Sequence, residues 1–514
     1  MRRLLTMVTM VTMVTVVTAA SSALLTSASA AAAGGLAAGG SGAFGLSAAA
    51  AGDAWGKARE IPGTAAISTT HPILDAVVDS VSCASAGNCG AGGTYGDRFG
   101  NEFAFVVSQV NGTWGKAQKV RGTIILKNGN DAELSSVSCA SAGNCGAGGF
   151  YRDAAGIDQA WVVSEKNGTW GKAEEVPGTA ALNVAPGNGG VDSVSCTSAG
   201  NCSAGGTYTN AARHDQAFVV SEKNGTWGKA EPVPGLVSSD ADVDSVSCAS
   251  AGNCSAGGFG SHQTSRSDGV FVVSQKNGIW GHAQNIGGLG NTTAQIASVS
   301  CGSAGNCGAG GFGSIAGGAY VVSEKTGIVG AAQAVPGLAT LGDDGAITSM
   351  SCASAGDCTA GGYYVGTGIQ AFVVSEKNGT WGKAEEIPGT AAINRGGNAE
   401  VTSVSCGSAG NCSVGGVYST INMHDQAFVV NEKNGTWLMA EEVPGTAALN
   451  TGKDAQVTSV SCASAGNCSA GGDYLSRKFN FCHGAFVVSE KKGTWGKAEQ
   501  VPGTVREKGC TLPG

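Results

Sequence analysis

One pattern dominates this chain: Cys-x5-Cys occurs eight times, each time inside a run like Asp192-Ser193-Val194-Ser195-Cys196-Thr197-Ser198-Ala199-Gly200-Asn201-Cys202. The first cysteines are Cys83, Cys139, Cys196, Cys248, Cys301, Cys352, Cys406 and Cys462, 51 to 57 residues apart. Repeats near this length are propeller blades or solenoid turns, because one unit cannot bury its apolar face without a neighbour.

Each unit holds four short apolar stretches. The first is Ser-Val-Ser-Cys, the second carries Gly-Gly (Gly205-Gly206), the third an aromatic (Ala217-Phe218-Val219-Val220), and the fourth begins at Trp (Trp227). Runs this short, rich in Val and aromatics and punctuated by Gly, Asn and Pro, read as strands. No helical periodicity follows the N-terminus. Asn224-Gly225 and its equivalents predict type I′ hairpins between stretches three and four. The same Asn-Gly-Thr triplets match the glycosylation acceptor pattern, but the hairpin accounts better for where they fall.

Within each unit the five residues between cysteines are small and turn-forming, so the pair faces across the first hairpin. Closing such a loop removes about 2.4 kcal/mol of unfolded-chain entropy. Structural zinc asks for closer pairs and two further ligands, which nothing nearby supplies. The expected bonds are Cys83–Cys89, Cys139–Cys145, Cys196–Cys202, Cys248–Cys254, Cys301–Cys307, Cys352–Cys358, Cys406–Cys412 and Cys462–Cys468. Cys482 and Cys510 fall outside the pattern. Pairing them would tie the tail to the last unit; free thiols or an intermolecular bond are the alternatives.

Residues 1–30 read as an export signal, with Arg2-Arg3, an apolar run and Ala28-Ser29-Ala30. Interspersed Thr9, Thr12 and Thr15 dilute the run below a membrane anchor. An exported chain suits 18 cysteines. Residues 31–52 are an Ala/Gly/Ser leader, and 53–514 hold the repeats. Charged residues are 13% of the chain, net −8, with no basic stripe, so nucleic acid is excluded as a partner. No later segment could span a bilayer, and a monomer is expected.

The order of strands, with Gly205-Gly206, Tyr208, Phe218 and Trp227 in matching places, resembles the kelch-type β-propeller repeat. The hairpin Ser221 to Trp227 also resembles the Asp-box of sialidase-type propellers, though shorter and without the aspartate. The whole is similar to Cys-paired propeller repeats of secreted proteins from high-GC bacteria. The resemblance implies an all-β, eight-bladed propeller of four-stranded antiparallel blades, with one disulfide in each. The kelch repeat lacks the Cys pair, and unit five has Val329 where Trp is expected. Strand one, lined by Ser, Val and Cys, would stand nearest the axis, with Phe105, Trp161, Phe218, Phe271, Tyr320, Phe372, Phe428 and Phe486 further out. A ninth fourth-stretch begins at Trp55. It would either complete the last blade in place of Trp495 or add an extra edge strand.

One face of such a ring carries nearly uniform turns. The other carries loops that differ in every unit, where function usually sits. Candidate ligand-binding residues there are Arg152, Asp153, Arg213, His214, Asp215, His262, Arg266, His424, Asp425 and His483. The bland reading is that loops are polar because water covers them. Arg213-His214-Asp215 and Met423-His424-Asp425 lie four units apart, across the ring. Asp240, Asp242, Asp244, Asp343 and Asp344, expected in the blade-to-blade links, could supply oxygen ligands for calcium, without a full calcium-loop spacing; no other cofactor is expected. Signatures of zinc hydrolases, serine hydrolases and phosphate loops are missing. The expected function is a secreted, non-catalytic module binding an extracellular glycan or protein. An extracellular enzyme acting on glycans, hydrolase or lyase, and a purely structural protein are the alternatives.

Overall fold

In the computed structural model the residues described are 73–97, 101–123, 131–261, 268–289, 293–477 and 482–501. They build eight antiparallel sheets, each from one consecutive unit of the sequence. Blade 3 is typical: Gly190–Ser198, Asn201–Thr209 and Asp215–Lys223 pair in order. The fourth strand is broken into Thr226–Trp227 and Glu231–Pro232, both paired with the third.

The hairpins follow the reading. Asn224 and Gly225 take φ of 53° and 80°, the left-handed pair a type I′ turn requires. Cys196 sits opposite Cys202, and all eight expected in-blade disulfides form, with Cα atoms 3.9–4.0 Å apart. Eight such bonds suit folding in oxidising surroundings. Among the described residues no helix is long and apolar enough to cross a membrane. The Cys482–Cys510 pairing, the leader and the segment from Trp55 lie outside the described residues.

Gly-Gly has two separate duties. A slip of register between Val191 and Ser193 makes a bulge in strand one, and there a Cβ on Gly206 would stand 2.0 Å from the Gly190 carbonyl oxygen. A Cβ on Gly205 would stand 2.4 Å from Val243 of blade 4. The first glycine therefore admits the next blade, and the second admits the blade's own bulge.

Apolar clusters bridge neighbouring blades. Val219 and Val233 of blade 3 pack with Val243, Phe271 and Trp280 of blade 4. Val487 and Val501 of blade 8 pack with Val78 and Phe105 of blade 1, which closes the ring. The aromatic series lies 0–1% exposed, filling the space that opens as blades diverge.

The serines of strand one have a role beyond small size. Ser193 and Ser195 accept hydrogen bonds from the Val246 and Cys248 N–H groups of the next blade. Two such bonds, 2.8–3.0 Å long, occur at every interface between consecutive blades. Blade 1 receives them from Ser459 and Ser461 of blade 8. Two N–H groups on the innermost edge of every blade, which would otherwise lack a partner, are thus satisfied around the ring.

A second tie lies further out. Glu165, Glu222, Glu324, Glu376, Glu432 and Glu490, with Gln109 and Gln275, take one buried place in strand three. Ser108 donates to Glu165 and Ser164 to Glu222 across the blade boundary. The indole N–H groups of Trp170 and Trp227 donate to the same two serines.

One alternative is decided, and one feature is new. Trp495 occupies the outer strand of the last blade and pairs with Glu490, so the seat that Trp55 was offered is filled from the C-terminal side. The links also hold short helical turns, Thr179–Leu182, Thr390–Ile393, Thr446–Leu449 and Leu338–Thr340. They are too short to show periodicity in sequence; three begin with a buried Thr whose hydroxyl donates to a carbonyl three residues back.

Candidate functional site

The two faces differ in how their polar groups are used. On the uniform face the hairpin tips of each blade lock together: the Gly225 N–H donates to the Gly200 carbonyl, and equivalent bonds occur in all eight blades. The Asn224 N–H donates to the Asn201 side chain, again as one of a series. On the opposite face lie the blade-to-blade links and the loops between strands two and three.

Several candidate residues on that second face hold the scaffold. Arg152 forks onto Asp158 at 2.8 and 3.1 Å and reaches Asp131 in the preceding link. Asp153 accepts the Ala155 and Ile157 N–H groups and the Gln159 amide. These hydrogen bonds hold its carboxyl below the ordinary range despite the opposing effect of burial. Asp215 and Asp425 accept from the Thr209 and Ser419 hydroxyls across their own hairpins. All four stitch loops shut.

Arg213 has a left-handed backbone (φ 64°) at a loop tip, and His214 stands 3.7 Å from Asp240. They belong to blade 3 and His424 to blade 7, so the similar loops lie on opposite sides of the ring and do not converge. His262 and Arg266 lie outside the described residues.

The residues that do converge stand where blades 7 and 8 meet. His424 Nε2 is 2.9 Å from Lys453 Nζ in the link. Partial loss of water, then the Lys453 and Arg477 charges, lower the affinity of His424 for a proton. His483 Nδ1 lies 2.9 Å from the carboxylate of Asp473, which is buried and also accepts from the Gln456 amide at 3.0 Å. Burial first, then Asp473 and Asp425, raise the Asp454 carboxyl, while His483 opposes them. A buried carboxylate that takes the Nδ1 proton fixes tautomer and ring direction. The junction therefore presents an oriented imidazole beside a Lys–His pair, suited to hydrogen-bonding or proton exchange with a polar ligand.

Of this cluster the sequence reading named His424, Asp425 and His483 and missed Lys453, Asp454 and Asp473. A signal for Asp473 was present. The residue after Gly-Gly is Thr94, Phe150, Thr207, Phe259, Phe312, Tyr363 or Val417 in the other blades, so one aspartate there stands apart.

The calcium candidates are only partly where expected. Asp240, Asp242 and Asp244 belong to the first strand of blade 4, Asp240–Ser250, not to a link. Asp343 and Asp344 are exposed in the link before blade 6. Among the described residues no group of three or more His, Cys, Asp or Glu is placed to hold a metal. Asp242 and Asp244 join Glu133 and Glu400 on the innermost strands, which carry no Lys or Arg in any blade. Burial alone pushes Glu400 up to about 7, and burial, then Asp242, raises Asp244.

No family model matches this chain, and no curated protein matches it. Several solved structures are similar over much of its length. Sqt1 of Chaetomium thermophilum bound to the N-terminus of ribosomal protein L10 is 10% identical, covering 77% of this chain and 94% of that one, with a TM-score of 0.43. A Hadza microbial sialidase is 9% identical, covering 72% and 66%, at 0.35. An ulvan lyase of polysaccharide lyase family PL25 is 10% identical, covering 86% and 96%, at 0.34. Likeness at this level carries no inference, and the fold stands on its own strand pairing.

Proposed function

We propose that this chain is a secreted, non-catalytic module that binds a polar extracellular ligand, a glycan or a protein surface, on the face formed by the links and the second-to-third-strand loops. One observation carries the reading. The uniform face spends its polar groups on hairpin locks repeated in every blade, whereas the opposite face gathers His424, Lys453, Asp454, Asp473, Arg477 and His483 at one junction. Function on a propeller sits in such grafted side chains and not in the repeated frame.

The test is a glycan and cell-surface screen, run with and without calcium, on the intact chain and on two variants. His424→Glu with Lys453→Glu should remove binding with melting temperature unchanged; Arg152→Ala should lower melting temperature. Binding that survives the first variant contradicts the junction as the ligand site. A second reading, an extracellular enzyme acting on glycans, draws on the Asp473–His483 pair, since an imidazole oriented by a buried carboxylate is a unit of general acid–base chemistry. It predicts turnover of a polysaccharide that His483→Gln abolishes while binding remains.

A further inference from the structure

Blades 3 and 7 carry the same loop between strands two and three, with different contents. In both, the histidine carbonyl, of His214 or His424, accepts the N–H of the residue four places back, and the residue before the histidine, Arg213 or Met423, is left-handed. The surroundings are exchanged. His214 faces the Asp240 carboxylate at 3.7 Å, whereas His424 faces the Lys453 ammonium at 2.9 Å. Where blade 3 has Ala211 and Arg213, blade 7 has Ile421 and Met423, which lie 68% and 71% exposed within this one loop. Lys453 is set into its link at a backbone conformation that suits it poorly. Its carbonyl accepts from the Asp425 N–H as the Gly397 carbonyl of the preceding link accepts from the Ile369 N–H, and φ is 78° at Lys453 and 75° at Gly397. Among the described residues Lys453 is the one non-glycine with a left-handed backbone in a blade-to-blade link. Glycine takes this conformation without steric cost and lysine does not. A strained residue held by its surroundings points to a use for its side chain.

The charged groups turned to solvent at this junction are donors. An ammonium can only donate, so His424 Nε2 accepts from Lys453 and the imidazole carries its proton on Nδ1. Arg477 is held by its N–H on the Thr451 hydroxyl of the same link at 2.9 Å, and its charge reaches the same imidazole. Lys453 and Arg477 are exposed, whereas Asp473 is buried and Asp425 and Asp454 are half-buried. We propose that the junction of blades 7 and 8 takes an acidic peptide segment, with an Asp or Glu side chain on Lys453, His424 and Arg477 and an apolar side chain on Ile421 and Met423. The inference rests on the reading of this junction as a ligand site and names its ligand class. Hydrogen bonds from charged donors to a carboxylate are short and strong, and a methionine adapts to apolar partners of varied shape. A polyanionic glycan would use the charges and leave two aliphatic side chains in water. Among the described residues no Phe, Tyr or Trp is exposed for a sugar ring to stack on.

The matching loops supply the variants. Lys453→Gly installs the residue of the preceding link, and Ile421→Ala with Met423→Arg installs the residues of the blade 3 loop, so both preserve the frame. The probes are labelled Glu-rich peptides, each with a Leu or Met at a different place, and heparin in parallel. Fluorescence polarisation should show peptide binding to the full chain that weakens with added salt. Either variant should weaken it about tenfold or more, while the melting temperature of Lys453→Gly stays the same or rises. Peptides that all fail to bind overturn the inference, as do peptides that bind both variants as they bind the unaltered chain. Heparin bound more tightly than any peptide, and more tightly still by Ile421→Ala with Met423→Arg, which adds a cation, overturns it by showing a polyanionic glycan as occupant. A chain that ignores the peptides yet loses a ligand from the glycan screen on His424→Glu with Lys453→Glu overturns this inference alone and leaves the ligand-site reading standing.

Discussion

At the scale of single residues, the repeat is a set of positions with narrow steric or hydrogen-bonding demands. Gly206→Ala should destabilise by about 1–3 kcal/mol or more, as overpacking does, because its Cβ would meet the Gly190 carbonyl oxygen and not a movable side chain; chemical denaturation measures this. Ser195→Ala should cost about 1–3 kcal/mol by leaving the Cys248 N–H without its acceptor. Buried carboxyls set the response to pH. Burial, with Glu385 nearby, pushes Glu432 up to about 6. Burial pushes Glu490 up to about 7 against hydrogen bonds from Ser413 and Asn431. The folded state therefore binds protons more tightly than the unfolded chain. That stabilisation is complete below the ordinary Glu value of 4.5 and is lost as pH rises through 6 and 7. Melting temperature should be higher at pH 5 than at pH 8, and Glu432→Gln with Glu490→Gln should flatten the difference. A melting temperature that rises with pH across this window contradicts the assignment. The serines show why the sequence was only partly legible here: Ser-Val-Ser could be read as small, but its acceptors' partners lie on another blade.

At the scale of elements, the hairpins and the in-blade disulfides were legible because Asn-Gly and Cys-x5-Cys are local. Replacing both Cys406 and Cys412 by Ala should cost about 2.4 kcal/mol by loop entropy, measurable by denaturation. Truncating a buried outer tryptophan, Trp227→Ala, should cost about 3–5 kcal/mol, because it packs in a blade boundary and donates to Ser164 at 3.2 Å. Blade 5 shows how the frame adapts where the tryptophan is missing. Gln284 of blade 4 accepts from the Val329 N–H and donates to the Gly327 carbonyl. No rule of local sequence predicts that exchange. The break in the fourth strand and the short helical turns were likewise unreadable, since pieces of two to four residues leave no period.

For the molecule as a whole, eight units and a ring were legible from repeat count and from the outward increase in side-chain size, but the manner of closure was not. The candidate site was less legible still. It depends on which loops share a junction, and His424 pairs with a neighbouring link, not with the similar loop of blade 3. Closure rests on blade 8 serving blade 1 as every other blade serves the next. Residue-resolved amide hydrogen exchange tests this most directly. Val81 and Cys83 donate to Ser459 and Ser461 only if the first and last blades meet. In a closed ring their amides should exchange as slowly as those of Val246 and Cys248, and Ser459→Ala with Ser461→Ala should expose them selectively. Rapid exchange at Val81 and Cys83 in the unaltered chain, with Val246 and Cys248 protected, would mean an open array in place of a ring.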